Sequence, residues 1–191
     1  MKTEKISNKR DHAPKKTIVL VGIMGAGKST VGKILADRLG MQFIDADQEI
    51  ERAAGCTITD FFEKYGEVEF RKGEERVISR ILAGEPCVLA TGGGAFMSEA
   101  TRLLIKKIAT SVWLRASFEV LAKRLEKRSD RPLLQTADPQ QTLKALIKKR
   151  YPIYNDADFI VDVENDGVDI TVSKVVECLG DYCYSEQSVE S

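Results

Sequence analysis

Residues 22–29 of this 191-residue chain, Gly22-Ile23-Met24-Gly25-Ala26-Gly27-Lys28-Ser29, match the phosphate-loop pattern G-x-x-x-x-G-K-[ST] in full. The flanks narrow what the chain can fold into. An uninterrupted apolar run, Thr17-Ile18-Val19-Leu20-Val21, leads in. A helical period leads out, with Val31, Ile34, Leu35, Arg38 and Leu39 on one face and Gly40 placed to cap the helix. Glycines let the backbone turn tightly and aim several N–H groups at one anion. The helix N-terminus adds positive dipole, Lys28 adds a mobile full charge, and the Ser29 hydroxyl can hold Mg²⁺. The competing reading is a glycine turn that merely joins strand to helix. A full match set between a strand and a helix favours a nucleoside triphosphate site.

The rest of the chain alternates in the same way. Strand-like runs at 17–22, 42–45, 87–90, 110–114 and 159–163 are separated by helical patterns. The first, third and fourth are apolar on both faces, as suits a parallel sheet covered by helices on each side. The predicted fold is a P-loop α/β domain of three layers over residues 17–179. Two embellishments interrupt it: a helical insertion at about 46–83 and a proline-bounded loop at about 127–138 that reads as a lid. Asp138 and Pro139 make an N-cap and N1 pair for the helix after that loop. Residues 1–16 are polar and lysine-rich, lack the apolar stretch of a signal peptide, and read as a disordered extension. The polar tail from Gly180 reads as flexible.

Composition excludes other classes. The 29 basic and 29 acidic side chains cancel, and no basic stripe with interleaved aromatics is present, which argues against nucleic acid. The longest apolar runs are strand-sized, which argues against a membrane span. Cys56, Cys87, Cys178 and Cys183 are scattered with no C-x-x-C, as for reduced thiols in a cytosolic enzyme; a metal or disulfide role is the alternative.

A phosphate loop does not identify the acceptor, which must be read from charged residues near other strand ends. Asp45-Ala46-Asp47 follows the second strand. If the segment stays extended, both carboxylates face the crevice, one supporting Mg²⁺ through water and the other meeting an acceptor hydroxyl; otherwise one of them caps a helix. In Glu67-Val68-Glu69-Phe70-Arg71-Lys72-Gly73-Glu74, Arg71 and Glu74 lie one turn apart, so Glu74 can orient a guanidinium that grips a carboxylate. The alternative is a solvated helix face with an ordinary ion pair. Thr91-Gly92-Gly93-Gly94 suits a ligand lying against bare backbone, or a sharp strand-to-helix turn. Arg131, in the lid loop, is a candidate for the γ-phosphate, and Arg150 is the remaining cation; both could instead be surface arginines.

Together and in this order, these residues resemble the shikimate kinases, from about Ile18 to about Leu179. The match comprises G-x-x-G-x-G-K-[ST]-T (Gly22 to Thr30), D-x-D, G-E-x-E-F-R-x-x-E-E (Gly66 to Glu75), G-G-G, R-P-L-L (Arg131 to Leu134) and R-x-P-x-Y (Arg150, Pro152, Tyr154). The resemblance implies phosphorylation of the 3-hydroxyl of shikimate by ATP, on the route to chorismate and the aromatic amino acids, by a cytoplasmic monomer. It implies a parallel sheet ordered 2-3-1-4-5. It places Gly25, Ala26, Gly27, Lys28, Ser29, Thr30, Arg124 and Arg131 at the nucleotide, with Arg124 against the adenine. It places Asp47, Phe70, Arg71, Gly92, Gly93, Gly94 and Arg150 at shikimate, and Ser29 with Asp45 at Mg²⁺. Lys28, Asp47 and Arg131 are then the catalytic set. Gluconate kinase is the nearest enzymatic rival, and a non-catalytic nucleotide-binding module is the rival from another class.

Overall fold

The computed structural model describes residues 16–125 and 138–184. Five strands form one parallel sheet: β1 (Thr17–Val21), β2 (Gln42–Asp45), β3 (Cys87–Ala90), β4 (Ala109–Ala116) and β5 (Phe159–Val163). Their order is β2-β3-β1-β4-β5, the order implied by the resemblance. Ile18 pairs with Val88 on one side and with Thr110 on the other. The three central strands are buried along almost their whole length, whereas β2 and β5 lie at the edges and alternate or are only half-buried. Fully apolar runs therefore occupy the strands that have neighbours on both sides.

Helices α1 (Lys28–Leu39), α2 (Ala46–Ala54), α3 (Ile58–Leu82), α4 (Glu99–Ile108), α5 (Phe118–Leu125), α6 (Pro139–Tyr154) and α7 (Val168–Tyr184) connect and cover the strands. Their ends follow from local chemistry. Gly40 closes α1 in the left-handed conformation at φ 65°, and Asp138 caps α6 by accepting from the Gln141 N–H at 2.9 Å. The insertion is α2 plus α3, and α3 breaks at Gly66 (φ 78°, ψ 173°). Ser98 caps α4 and also donates to Glu75 Oε1 at 2.6 Å, which ties the insertion to the body of the domain. At the far edge, Ser111 N and Oγ both donate to Asp158 Oδ2 (2.8 and 2.7 Å) and Asp158 N donates back to Ser111 Oγ at 2.9 Å.

Three expectations change. The sequence-based pattern sets Arg38 on the packed face of α1, but it is exposed and donates to Ser173 on α7; the buried positions are Val31, Gly32, Leu35 and Ala36. The chain remains helical past Gly180 to Tyr184, because Val172, Val175 and Leu179 bury the preceding turns and offset the ordinary cost of one helical glycine, roughly 1 kcal/mol. Asp45-Ala46-Asp47 is not an extended segment: Asp45 ends β2 as the N-cap of α2, accepting from the Asp47 N–H at 3.1 Å, and Asp47 lies in the helix's first turn. The lid segment and the N-terminal extension lie outside the described residues, apart from Asp138 and Lys16.

Gly32 brings α1 against the sheet: a Cβ there would lie 2.5 Å from Phe43 Cε2 and 3.2 Å from Leu20 Cδ1. Gly32→Ala is expected to lower stability by about 1–3 kcal/mol through overpacking, despite alanine's better helix propensity, as read by urea unfolding.

Candidate active site

The carboxyl ends of β1, β2 and β3 open on one crevice. On its phosphate side, Gly25 (φ 82°) and Gly27 (φ 98°) take left-handed conformations that reverse the chain and start α1. Lys28 Nζ donates to the carbonyls of Gly22 at 2.7 Å and Ile23 at 3.1 Å, so the ammonium is held over the loop it would share with a phosphate. Ala26 is buried, while Ser29 and Thr30 are exposed on the first turn of α1. Arg124 on α5 donates through Nη1 to the carbonyls of Gly25 (3.3 Å) and Ala26 (3.4 Å) and through Nη2 to that of Glu164 (2.9 Å). It thus bridges the phosphate loop to the segment after β5. Arg131 lies outside the described residues.

Ser29 Oγ donates to Asp45 Oδ2 at 2.7 Å. Asp45 therefore caps α2 with one oxygen, the alternative foreseen for it, and meets the Ser29 hydroxyl with the other. A hydroxyl beside one carboxylate suits Mg²⁺, which keeps several waters and takes phosphate oxygens for the remainder. Among the described residues, no cluster of three or more His, Cys, Asp or Glu could hold a metal unaided.

On the acceptor side, Gly92–Gly94 forms the floor. None of the three has a positive φ, so the turn alone does not require glycine. Close approach does. A Cβ on Gly92 would lie 2.6 Å from Asp47 Oδ1 and 2.9 Å from Glu74 Oε1. One on Gly94 would lie 2.4–2.6 Å from the Arg71 guanidinium, and one on Gly93 would lie 3.1 Å from Arg150 Nη1 and 3.4 Å from the Met24 N–H nitrogen of the phosphate loop. Each glycine is bare where a charged side chain, or the loop itself, comes against the backbone. Arg71 on α3 and Arg150 on α6 therefore meet on adjacent residues facing the phosphate cradle.

The charges are arranged by burial. Glu74 is only 2% exposed, and Arg71 Nη1 donates to its Oε2 at 2.6 Å, while Arg71 Nε and Nη2 reach Glu67 Oε1 at 3.4 and 3.2 Å. Burial pushes the Glu74 carboxyl above its ordinary 4.5; Arg71 and Arg150 pull it down, and neighbouring Asp47 pushes it up further. Burial also opposes the Arg71 charge, but Glu74 and Glu67 outweigh it and hold the guanidinium protonated. Phe70 is buried, packed on Phe62 at 4.4 Å with the Arg71 guanidinium 5.2 Å from its ring centre, so it carries Arg71 as a platform.

Arg150 is 7% exposed and donates to the Gly93 carbonyl at 2.7 Å. The Tyr154 hydroxyl donates to the same carbonyl, a role that the motif R-x-P-x-Y leaves unstated. Trp113 stacks edge-on against Tyr151, and its Cδ1 is 3.6 Å from where a Gly22 Cβ would be. The sequence shows Trp113 only within an apolar strand and Tyr154 only within the R-x-P-x-Y motif; their place beside the site emerges from the packing of β4 against α6.

A phosphate loop facing a pocket lined by two arginines and a carboxylate defines a P-loop phosphotransferase for a small acidic acceptor. A profile of the shikimate kinases matches residues 24–180. The chain is 52% identical over 174 residues to the shikimate kinase of Paramagnetospirillum magneticum, covering 91% of this chain and 89% of that one. It is 50% identical over 175 residues to that of Bradyrhizobium diazoefficiens, covering 92% and 84%. Among solved structures, shikimate kinase from Acinetobacter baumannii in complex with shikimate superposes with a TM-score of 0.86 at 35% identity, covering 96% of this chain and all of that one. The chain belongs to the shikimate kinase family.

The raised Glu74 pKa has a definite sign. A carboxyl whose folded value lies above its unfolded 4.5 stabilises the fold below that pH and loses this contribution as pH rises through the folded value. Urea unfolding of wild type and Glu74→Gln between about pH 4 and pH 8 is therefore expected to show the difference moving in the variant's favour as pH rises.

Proposed function

We propose that this chain transfers the γ-phosphoryl of ATP to the 3-hydroxyl of shikimate. The observation that carries the reading is the meeting of Arg71 and Arg150 on Gly94 and Gly93, within reach of the phosphate loop. Shikimate offers one carboxylate and three hydroxyls, so two guanidinium groups and a carboxylate complement it. Truncating one partner of such a buried charge pair costs roughly 2–5 kcal/mol, enough to exclude acceptors without the acid group.

The residues divide the work. Backbone N–H groups from Gly25 to Thr30 and the N-terminus of α1 cradle the phosphates, and Lys28 exchanges its carbonyl partners for phosphate oxygens. Arg71 and Arg150 fix the acid end of the acceptor, which orients its 3-hydroxyl towards the γ-phosphoryl. Asp47, against Gly92, orients that hydroxyl and accepts its proton as the new P–O bond forms and ADP departs. Mg²⁺, held by the Ser29 hydroxyl and through water by Asp45, would neutralise charge on the phosphate oxygens when bound. Arg131 is assigned to the same developing charge, and Arg124 to the adenine while it braces the loop. Catalysis on this reading is mostly positioning and preorganised electrostatics. A monomer working in the cytoplasm completes the proposal; no described helix is long and apolar enough to cross a membrane.

A coupled assay of ADP release with shikimate and with gluconate tests the choice of acceptor: turnover with shikimate is expected, and turnover with gluconate alone would overturn it. Gly94→Ala places a methyl group on the Arg71 guanidinium, so the shikimate KM is expected to rise at least about tenfold while the ATP KM changes less than about twofold. Asp47→Asn separates proton acceptance from positioning. If Asp47 takes the proton, kcat falls and its dependence on pH over the carboxylate range disappears.

A further inference from the structure

We propose that Tyr154 is a positioning residue for the acid group of the acceptor, acting through the Gly93–Gly94 peptide without touching the ligand. The proposal rests on the reading of this pocket as a carboxylate site.

The Tyr154 hydroxyl and Arg150 Nη1 both donate to the Gly93 carbonyl. A carbonyl oxygen has two lone pairs, and here each meets a donor. The chain has no cis peptide bond among the described residues, and in a trans unit the C=O and the following N–H point to opposite sides. Fixing the Gly93 carbonyl therefore fixes the direction of the Gly94 N–H. Gly94 is the residue against which the Arg71 guanidinium lies, so one peptide unit is set between the two cations that grip the acid. Three successive glycines have no side chains to hold such a plane in place.

Tyr154 supplies the missing stiffness. Its side chain is fully buried, with its ring centre 5.7 Å from that of Trp113 and 6.3 Å from that of Phe96. It stands one helical turn after Arg150 on α6, so a single helix end delivers both donors to one oxygen. Burial pushes the phenol up to about 12, against the pull of Arg150, so it remains a donor across the working range. Donation into the carbonyl also polarises the amide and strengthens the Gly94 N–H as a donor to an anion.

Tyr154→Phe removes the hydroxyl and keeps the ring. The expected result is a shikimate KM raised roughly threefold to tenfold, the loss of one neutral hydrogen bond, with kcat and the ATP KM within about twofold. The inhibition constant of an analogue carrying hydroxymethyl in place of the carboxylate is expected to stay unchanged. An unchanged shikimate KM, with or without a lower Tm, overturns the proposal, as does an equal loss for the analogue. Wild-type protein that fails to phosphorylate shikimate at all would instead overturn the activity on which the proposal rests. If the variant does not fold, wild type labelled with ¹⁵N-glycine serves: shikimate is expected to move the Gly94 amide proton downfield, and an unmoved resonance overturns the proposal.

Discussion

Charged side chains lie directly against bare backbone at Gly92–Gly94, most closely at Gly92 and Gly94, where an added Cβ would force them to shift. Much of the architecture serves to bring them there. Arg71 comes from the insertion, Arg150 from the end of α6, and Asp47 from the first turn of α2; each element is anchored to the domain by contacts of its own. A half-made version of this cluster would leave a buried charge unpaired, at a cost of about 3–5 kcal/mol, a large share of the stability of a domain this size. The elements thus have to arrive together, and the desolvation of Glu74, which raises its pKa, is only partly offset by Arg71 and Arg150.

The two sides of the crevice follow different logic. The phosphate side is local: eight consecutive residues supply the turn, the cation and the hydroxyl, and the helix dipole needs no partner from elsewhere in the chain. The acceptor side is global. No two of Asp47, Arg71, Gly94 and Arg150 share an element, so its geometry depends on strand order and helix packing. Placement of β3 beside β1 sets the glycine floor next to the phosphate loop and brings the two halves within reach of one small molecule.

This difference decides what could be read in advance. The strands were legible because central parallel strands must be apolar on both faces, and the phosphate loop was legible because its chemistry is contiguous. The sheet order came from resemblance alone, since periodicity does not say which strand neighbours which. The glycine triplet was legible as a close approach, though not what approaches: a ligand was expected, and it is charged side chains that come against it. The extended reading of Asp45-Ala46-Asp47 failed because Asp45, once it caps α2, ends the strand. Tyr154 stayed invisible as a site residue because a tyrosine in a helix looks the same whether its hydroxyl meets water or a glycine carbonyl 61 residues away.

Trp113 is the chain's single tryptophan, wedged between the aromatic rings of α6 and the first glycine of the phosphate loop. Its indole Nε1 is buried without a hydrogen-bond partner among the described residues. A buried emitter set against the first glycine of the phosphate loop and beside Tyr154 makes the protein its own spectroscopic gauge. Occupancy of either half should be visible in native fluorescence, with no dye attached and no second indole to blur the signal.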